Sequence, residues 1–228
     1  MRITVIGGTG GTGSQVIEQA LDAGHQVTAV VRDPSRLPAR AAGVRAGPAA
    51  GASPDHPAAV PAQPGTLTVV TADVLRPDEL GPAVEGSDVV ITALGPRGRS
   101  PEPLVTPALE ALLAAEPPRV ILVSNSGMHT EGDPWALRTL IKPILQWVLR
   151  HHYADALRAE QTLRSSGVPW TVVRPPRLTN GPLTGTYRST TQGNPRWAGS
   201  ISRADLAHCL VHAAADPGTT GKAISIGY

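Results

Sequence analysis

Short runs of apolar residues alternate with helical segments along most of the chain. Val, Ile and Leu are contiguous within these runs, a pattern typical of strands that are covered on both faces in a parallel sheet. The predicted strands lie at residues 2–8 (RITVIGG), 25–32 (HQVTAVVR), 66–70 (TLTVV), 87–95 (SDVVITALG), 119–127 (RVILVSNSG), 170–178 (WTVVRPPRL) and 222–228 (KAISIGY). This alternation predicts an α/β domain built on a doubly wound parallel sheet.

The segment that follows the first strand has the periodicity of an amphipathic helix. In residues 14–24 (SQVIEQALDAG), Val16, Ile17 and Leu21 fall on one helical face. Gly24 follows this segment and is expected to end the helix, because glycine commonly stands just after the last helical residue. The chain therefore begins with a predicted strand, a glycine turn and a helix.

Glycines fill the turn between this strand and this helix. Gly8, Gly10 and Gly13 fit the spacing G-x-G-x-x-G, while Gly7, Gly10 and Gly13 fit G-x-x-G-x-x-G. Glycines in this context let the backbone approach a pyrophosphate, which the free N–H groups and the helix dipole bind. A P-loop would need lysine at position 14, and Ser14 there disfavours nucleotide hydrolysis. The turn predicts a dinucleotide site.

The end of the second strand indicates which dinucleotide is bound. In such a fold this position faces the adenosine ribose, where an acidic residue selects NAD and an arginine accommodates the 2′-phosphate of NADP. Arg32 comes first here, with Arg36 nearby and Asp33 between them, so we expect NADP; Asp33 could instead cap the next turn. Asp73, after the third strand, either borders the adenine or caps a turn before Pro77.

Composition and charge exclude several classes of protein. Among 228 residues, 20 Lys and Arg nearly balance 18 Asp and Glu and form no basic tract, which argues against a nucleic-acid partner. Cys209 is the single cysteine, so no intrachain disulfide can form and a cytoplasmic location is expected. Residues 135–149 (WALRTLIKPILQWVL) are interrupted by polar residues and fall short of the roughly 20 needed to span a membrane.

One stretch departs from the strand and helix pattern. Residues 38–65 are dominated by Ala, Pro and Gly without apolar periodicity. Such a segment buries too little surface to offset ordering, so we expect a mobile surface insertion, either a lid beside the adenosine pocket or a tolerated loop. The rest predicts one domain that spans residues 1–228.

Four segments together resemble one family. They are GGTGGTG (7–13), VTAVVRDPSRLP (27–38), TADVLRPDELGPAVEGSDVVITALG (71–95) and RPPRLTNGPLTGTYR (174–188). They resemble the atypical short-chain dehydrogenase/reductases with an NAD(P)H-binding, NmrA-like domain, and within these the biliverdin-IXβ reductase or flavin reductase group. The resemblance implies a three-layer Rossmann-like domain with small substrate-side elements near its C-terminal end. It also implies NADPH across the strand ends and hydride transfer to a planar conjugated acceptor, a flavin, quinone or tetrapyrrole.

The resemblance also implies roles for individual residues. Those matching cofactor-binding positions are Gly7, Thr9, Gly10, Thr12, Gly13, Arg32, Arg36, Asp73, Ala93, Leu94, Gly95, Pro175 and Pro176. Ser126 matches a serine beside the nicotinamide and the substrate, and no metal site is expected. Arg177 stands where the family has an active-site histidine; because a guanidinium stays charged, it cannot act as a general acid. It would instead bind an anionic part of the substrate or stabilise negative charge that develops in the acceptor.

The catalytic pair Tyr-x-x-x-Lys of many short-chain dehydrogenases is missing. Arg138 and Gly218 stand four residues before the two lysines, Lys142 and Lys222. A conjugated acceptor fits this absence, since it delocalises the incoming charge and can take its proton from water, which leaves the protein mainly to align the reactants.

Further features predict surface or structural roles. His129, His151 and His152 have no cysteine or carboxylate to complete a metal site, so surface positions are expected, although one could enter the pocket. Ser202 and Asp205 predict a capping box for the last helix. Residues 135–149 predict a wall over the substrate or a subunit contact.

Two other functions stay open, a reductase or epimerase of a specialised metabolite and a non-catalytic NADP sensor. The oligomeric state is not predicted.

Overall fold

Strands from the first and last parts of the chain meet in one sheet in the computed structural model, which describes residues 1–37, 65–95, 102–129 and 150–228. The strands are β1 (Arg2–Ile6), β2 (Gln26–Val31), β3 (Thr66–Thr71), β4 (Val89–Thr92), β5 (Val120–Val123), β6 (Trp170–Arg174), β7 (Arg177–Thr179), β8 (Arg188–Thr190), β9 (Ser200–Ser202) and β10 (Lys222–Gly227). The helices are α1 (Gly11–Asp22), α2 (Pro77–Val84), α3 (Val105–Ala114), α4 (Arg150–Ser165) and α5 (Arg203–Ala215), with 3₁₀ turns at Pro34–Arg36 and Pro217–Thr219.

The order of the strands places a crevice beside β1. In the described ranges eight strands form a sheet in the order β3-β2-β1-β4-β5-β6-β10-β8, parallel except for β8. The chain winds outward from β1 to β2 and β3 on one side and to β4, β5 and β6 on the other. In sheets of this kind, ligands bind outside the carboxyl ends of the strands where the direction of winding reverses. That point lies between β1 and β4.

Both faces of the sheet are covered, which explains the contiguous apolar runs. On β1, Ile3 and Val5 pack into a cluster formed with α1 and α5, while Ile6 packs into a second cluster with α2, α3 and α4. The predicted three-layer α/β/α architecture is therefore confirmed. Each of the seven predicted strands is present, and the sixth run continues past Pro175 and Pro176 into β7.

The end of α1 agrees with the sequence prediction. Gly24 has a φ of +76°, its N–H donates to the carbonyl of Leu21 (2.9 Å), and the N–H of His25 donates to the carbonyl of Ala20 (2.9 Å). A glycine in the left-handed region with this bonding pattern ends a helix without steric strain.

Two short strands were not predicted. β8 and β9 have three residues each, too few to show a periodic pattern. β9 pairs in parallel with β7 to form a small second sheet, which corresponds to the expected substrate-side elements. Of the insertion predicted at residues 38–65, only Gly65 lies within the described residues. The segment 135–149 lies entirely outside them. Across the four described ranges, no helix has the length and apolarity to span a membrane.

Candidate functional site

A cleft of about 660 Å³ lies at the carboxyl ends of β1, β4, β5 and β6. A second recess of about 320 Å³ continues it towards the end of β2. The two share Gly10, Ala93, Leu94 and Gly95 as wall residues. Together they form a continuous site at the predicted crevice.

The glycine turn holds the start of α1 tightly against β1. Gly7 has a φ of +88°, and the N–H of Gly10 donates to its carbonyl (2.9 Å). A β-carbon on Gly13 would lie 2.8 Å from the carbonyl carbon of Gly7 and 3.0 Å from the Cα of Gly8, so only glycine fits there. Gly10 is the N-cap residue, and no side chain of the described residues caps this helix end. The first N–H groups of α1 are thus left for an anion, which fits a dinucleotide pyrophosphate.

Two arginines line the recess beyond the end of β2. They are Arg32 and Arg36, which share the recess with Thr9. Asp33, between them, accepts hydrogen bonds from the N–H (3.0 Å) and the hydroxyl (2.6 Å) of Ser35, which lower the pKa of its carboxyl. Asp33 therefore caps the 3₁₀ turn that presents Arg36, and the recess carries positive charge.

Asp73 adopts a local role next to this recess. Its carboxylate accepts from the N–H of Leu75 (3.1 Å), and its carbonyl accepts from the N–H of Arg76 (2.9 Å). The neighbouring Val74, and not Asp73, is among the residues that line the recess. The geometry is that of a turn-capping aspartate at the edge of the site.

The other end of the cleft is lined mainly by apolar groups. Its walls include Leu94, Val123, Pro175, Pro176 and Leu178. Such walls suit a flat, largely apolar ring system.

Ser126 and Arg177 lie at the margin of this compartment. Ser124 and Asn125 line the cleft, whereas Ser126 is 7% exposed and is not among the lining residues. The N–H of Ser126 donates to the carbonyl of Pro175 (2.9 Å), which joins the loops after β5 and β6. Arg177 begins β7 as an exposed residue, and its neighbour Leu178 faces the cleft.

Several cleft residues were not named as site residues in the sequence analysis, among them Tyr153 of α4 and Arg203 of α5. His152 of α4, for which a surface position was expected, also lines the cleft. Burial raises the pKa of Tyr153, so its hydroxyl stays protonated at neutral pH. His152 is the histidine that enters the pocket, while His151 is exposed. His152 and Tyr153 follow no strand end, and Arg203 follows only the short strand β9, which was not predicted, so no local pattern marks these residues.

A buried aspartate fixes the wall formed by α3. The Asp155 carboxylate accepts from the N–H groups of Leu104 (2.9 Å), Val105 (2.9 Å) and Thr106 (3.0 Å) at the start of that helix. Burial alone would raise the pKa of Asp155, but these hydrogen bonds outweigh it and the pKa is lowered. Asp155 thus acts as a cap supplied by α4, although it borders the cleft.

A second buried carboxylate ties together the loops of the site. Glu160 of α4 is 2% exposed and pairs with Arg174 at the end of β6 through Nε (3.0 Å) and Nη2. Nη2 of Arg164 lies 3.5 Å away and Nε2 of His129 4.0 Å away. Burial would raise the pKa of Glu160, but the polar contacts with His129 and Arg174 outweigh it and bring the pKa to about 2. The signal in the sequence is a charged residue on the apolar face of a helix.

No group of three His, Cys, Asp or Glu side chains suited to a metal ion occurs within the described ranges. In this part of the chain the cleft and the recess are lined by hydrogen-bonding groups, by Arg32, Arg36 and Arg203, and by apolar walls.

Comparison with known sequences adds the following. A family model described as NAD(P)H-binding matches residues 7–50 and 48–217. The chloroplastic protein TIC 62 of Pisum sativum is 27% identical over 183 residues, which are 76% of this chain and 32% of that protein. The uncharacterized sugar epimerase YhfK of Bacillus subtilis is 30% identical over 158 residues, 66% of this chain and 67% of that protein. The chain thus spans about a third of the length of pea TIC 62.

Solved structures share the fold over the whole chain. The oxidoreductase ylbE of Lactococcus lactis has a TM-score of 0.75 at 20% identity, covering 100% of this chain and 90% of that one. ChuY, an anaerobilin reductase of Escherichia coli O157:H7, has a TM-score of 0.72 at 20% identity, covering 99% and 96%. A short-chain dehydrogenase/reductase of Veillonella parvula in complex with NADP has a TM-score of 0.69 at 21% identity, covering 100% and 94%.

Proposed function

This chain belongs to the NAD(P)H-binding family, and we propose that it is an NADPH-dependent reductase of a planar conjugated acceptor, a flavin, quinone or tetrapyrrole. One observation carries the proposal, the continuity of an arginine-bearing recess with an apolar compartment across the glycine turn. When bound, NADPH supplies the hydride. The protein itself would bind, orient and exclude water.

Arg32 and Arg36 support the choice of the phosphorylated cofactor. Both arginines line the recess, and the carboxylate of Asp33 is engaged with Ser35. Two guanidinium groups would pair with a 2′-phosphate by charge-assisted hydrogen bonds. The NADP complex of the Veillonella parvula structure is consistent with this choice.

The apolar compartment supports a conjugated acceptor. Pro175, Pro176 and Leu178 offer flat apolar contacts, while Tyr153 and Asn125 offer a hydroxyl and an amide at its border. Alignment of nicotinamide and acceptor would then be the main contribution of the protein. The anaerobilin reductase ChuY, which shares the fold, is named for a tetrapyrrole-type substrate and agrees with this class.

Reduction of FMN by the purified protein tests the proposal. We expect loss of NADPH absorbance with FMN, with kcat/KM at least about 10-fold higher for NADPH than for NADH. Arg32→Gln should lower kcat/KM for NADPH by about 10- to 100-fold and leave that for NADH within about 2-fold, since only NADPH carries the paired charge. Arg158→Gln, an exposed arginine outside the cleft, is the matched control.

Two other outcomes would redirect the assignment. The relative YhfK is named as a sugar epimerase, so a second candidate is an epimerase, which returns its hydride and consumes no NADPH overall. Tight NADPH binding without consumption with FMN, a quinone or a tetrapyrrole would contradict the reductase proposal. It would favour the epimerase or an NADP-sensing, NmrA-like regulator. Conversion of a sugar nucleotide into its epimer by the NADP⁺-loaded protein, without net consumption of cofactor, would identify the epimerase.

Ser126→Ala should reduce turnover by less than the roughly 100-fold typical of an essential oxyanion donor. The reason is that Ser126 is buried at the margin and contributes through its backbone bond to Pro175, which alanine keeps. Steady-state kcat with saturating NADPH and FMN measures this. Complete inactivity of a folded variant would show that the hydroxyl itself takes part in the reaction.

A further inference from the structure

The side chain of Arg203 lies against the start of α1. It is the first residue of α5, and it lines the cleft together with Gly10, Gly11 and Thr12. A β-carbon on Gly11 would lie 2.8 Å from Cδ and 3.0 Å from Nε of Arg203. The guanidinium therefore lies beside the helix end whose N–H groups are left for an anion, and glycine at position 11 makes room for it.

The backbone that carries Arg203 is fixed to α1. Nε2 of Gln19 donates to the carbonyl of Ala204 (2.9 Å), which joins the two helices directly. The hydroxyl of Ser202 accepts from the N–H of Asp205 (2.9 Å), which confirms the predicted cap of α5. The start of α5 thus has a defined position relative to the glycine turn.

The side chain of Asp205 does not complete the capping box predicted at the start of α5; it binds the loop before β8 instead. Its buried carboxylate accepts from the N–H groups of Thr184 (2.9 Å) and Gly185 (2.8 Å) and from the hydroxyl of Tyr228. Burial would raise the pKa of Asp205, but the bonds from Tyr228 and Thr184 outweigh it and bring the pKa to about 2. The loop before β8 is thereby held against α5.

That loop also steadies the guanidinium. Nη1 of Arg203 donates to Oδ1 of Asn180 (2.6 Å), which follows β7. This partner is a neutral amide, and within the described part of the chain no carboxylate pairs with Arg203. A cation next to the positive end of a helix is unfavourable unless an anion lies between them. The arrangement is preorganised for a negatively charged ligand group.

We propose that Arg203 binds the pyrophosphate of the dinucleotide, opposite the N–H groups of α1, so that the phosphates are held from two sides. The inference rests on the dinucleotide binding proposed above. It assigns a binding role to a residue outside the glycine turn, supplied by the last helix of the chain. Arg203→Gln removes the charge, and Arg203→Lys keeps it without the fork of donors.

Calorimetric titration with two ligands tests this assignment. Arg203→Gln should weaken NADPH binding by about 10- to 100-fold, and Arg203→Lys by less. Binding of adenosine 2′-phosphate, which lacks the pyrophosphate, should change by less than about 2-fold. Arg32→Gln should weaken both ligands, and Arg158→Gln neither. Unchanged melting temperatures would exclude a folding defect.

Three results would overturn the assignment. If Arg203→Gln bound NADPH as tightly as the wild type, this assignment would be overturned and the proposed function would stand. Equal affinity with a raised KM for FMN but not for riboflavin would show that the guanidinium binds the phosphate of the acceptor. A wild-type protein that binds no NADPH would overturn the proposed function together with this assignment.

Discussion

Replacement of Glu160 by alanine should lower the free energy of unfolding by about 3–5 kcal/mol, the range for breaking a buried ion pair. Glu160 is 2% exposed and its partner Arg174 has a side chain only 13% exposed, so the guanidinium would stay buried without its counter-charge. Because Arg174 directly precedes Pro175, the apolar wall of the cleft should loosen as well. Urea unfolding followed by circular dichroism measures the loss.

A control variant and a double variant complete this test. Gln161→Ala changes the exposed neighbour on the same helix and should alter stability by less than about 0.5 kcal/mol. Glu160→Met combined with Arg174→Met replaces both charges with apolar groups and should recover much of the loss. A cost below about 1 kcal/mol for Glu160→Ala would mean that water reaches Arg174 readily and that the pair does not anchor the loops.

The same carboxylate gives a defined dependence on pH. Its pKa falls from an ordinary value of 4.5 to about 2 in the folded protein, so the unfolded chain binds more protons between these values. The stabilising contribution is fully present above about pH 4.5 and is lost as the pH falls through about 2. The difference in stability between wild type and Glu160→Gln should therefore shrink as the pH is lowered across this window.

Gly13→Ala should weaken NADPH binding by about 10- to 100-fold, since the added carbon would overlap backbone atoms of Gly7 and Gly8 that cannot rotate away. Relief requires α1 to move from β1, which displaces the N–H groups that face the cleft. Titration of NADPH fluorescence measures the affinity.

Gly81→Ala is the matched control for this substitution. Gly81 lies inside α2, where a β-carbon would meet no atom within 4 Å. Alanine there should keep the affinity and raise stability by up to about 1 kcal/mol through helix propensity. Wild-type NADPH affinity in Gly13→Ala would show that the turn does not bind the dinucleotide.

Much of the fold could be predicted because the sheet is covered on both faces. Contiguous Val and Ile in β1, β2 and β4 distinguish these strands from helices without any tertiary information. β8 and β9 could not be predicted, since three residues carry no period and their pairing depends on partners elsewhere in the chain.

The residues of the candidate site also fall into those that could be predicted from the sequence and those that could not. The glycine turn and Arg32 follow strand ends, and parallel strands bring their carboxyl ends to one edge, so their proximity could be predicted. Arg203 and Glu160 reach the site from helices whose packing is set by the whole fold. Glu160 had a detectable signal, a charge between Ala159 and Leu163 on a buried face, whereas Arg203 had none.

The contact between α1 and α5 has a consequence for the order in which the protein can fold during synthesis. Gln19 and Ala204 are 185 residues apart, yet they meet across this contact. The apolar face of α1 with Val16 and Ile17 packs on the early strands β1 and β2, but its other cover comes from α5 and is missing until the ribosome has made that helix. Contacts of such long range slow folding and leave apolar surface exposed on the nascent chain. The side of α1 that packs on α5 therefore stays exposed, and at risk of aggregation, while the ribosome makes the 185 residues that separate Gln19 from Ala204.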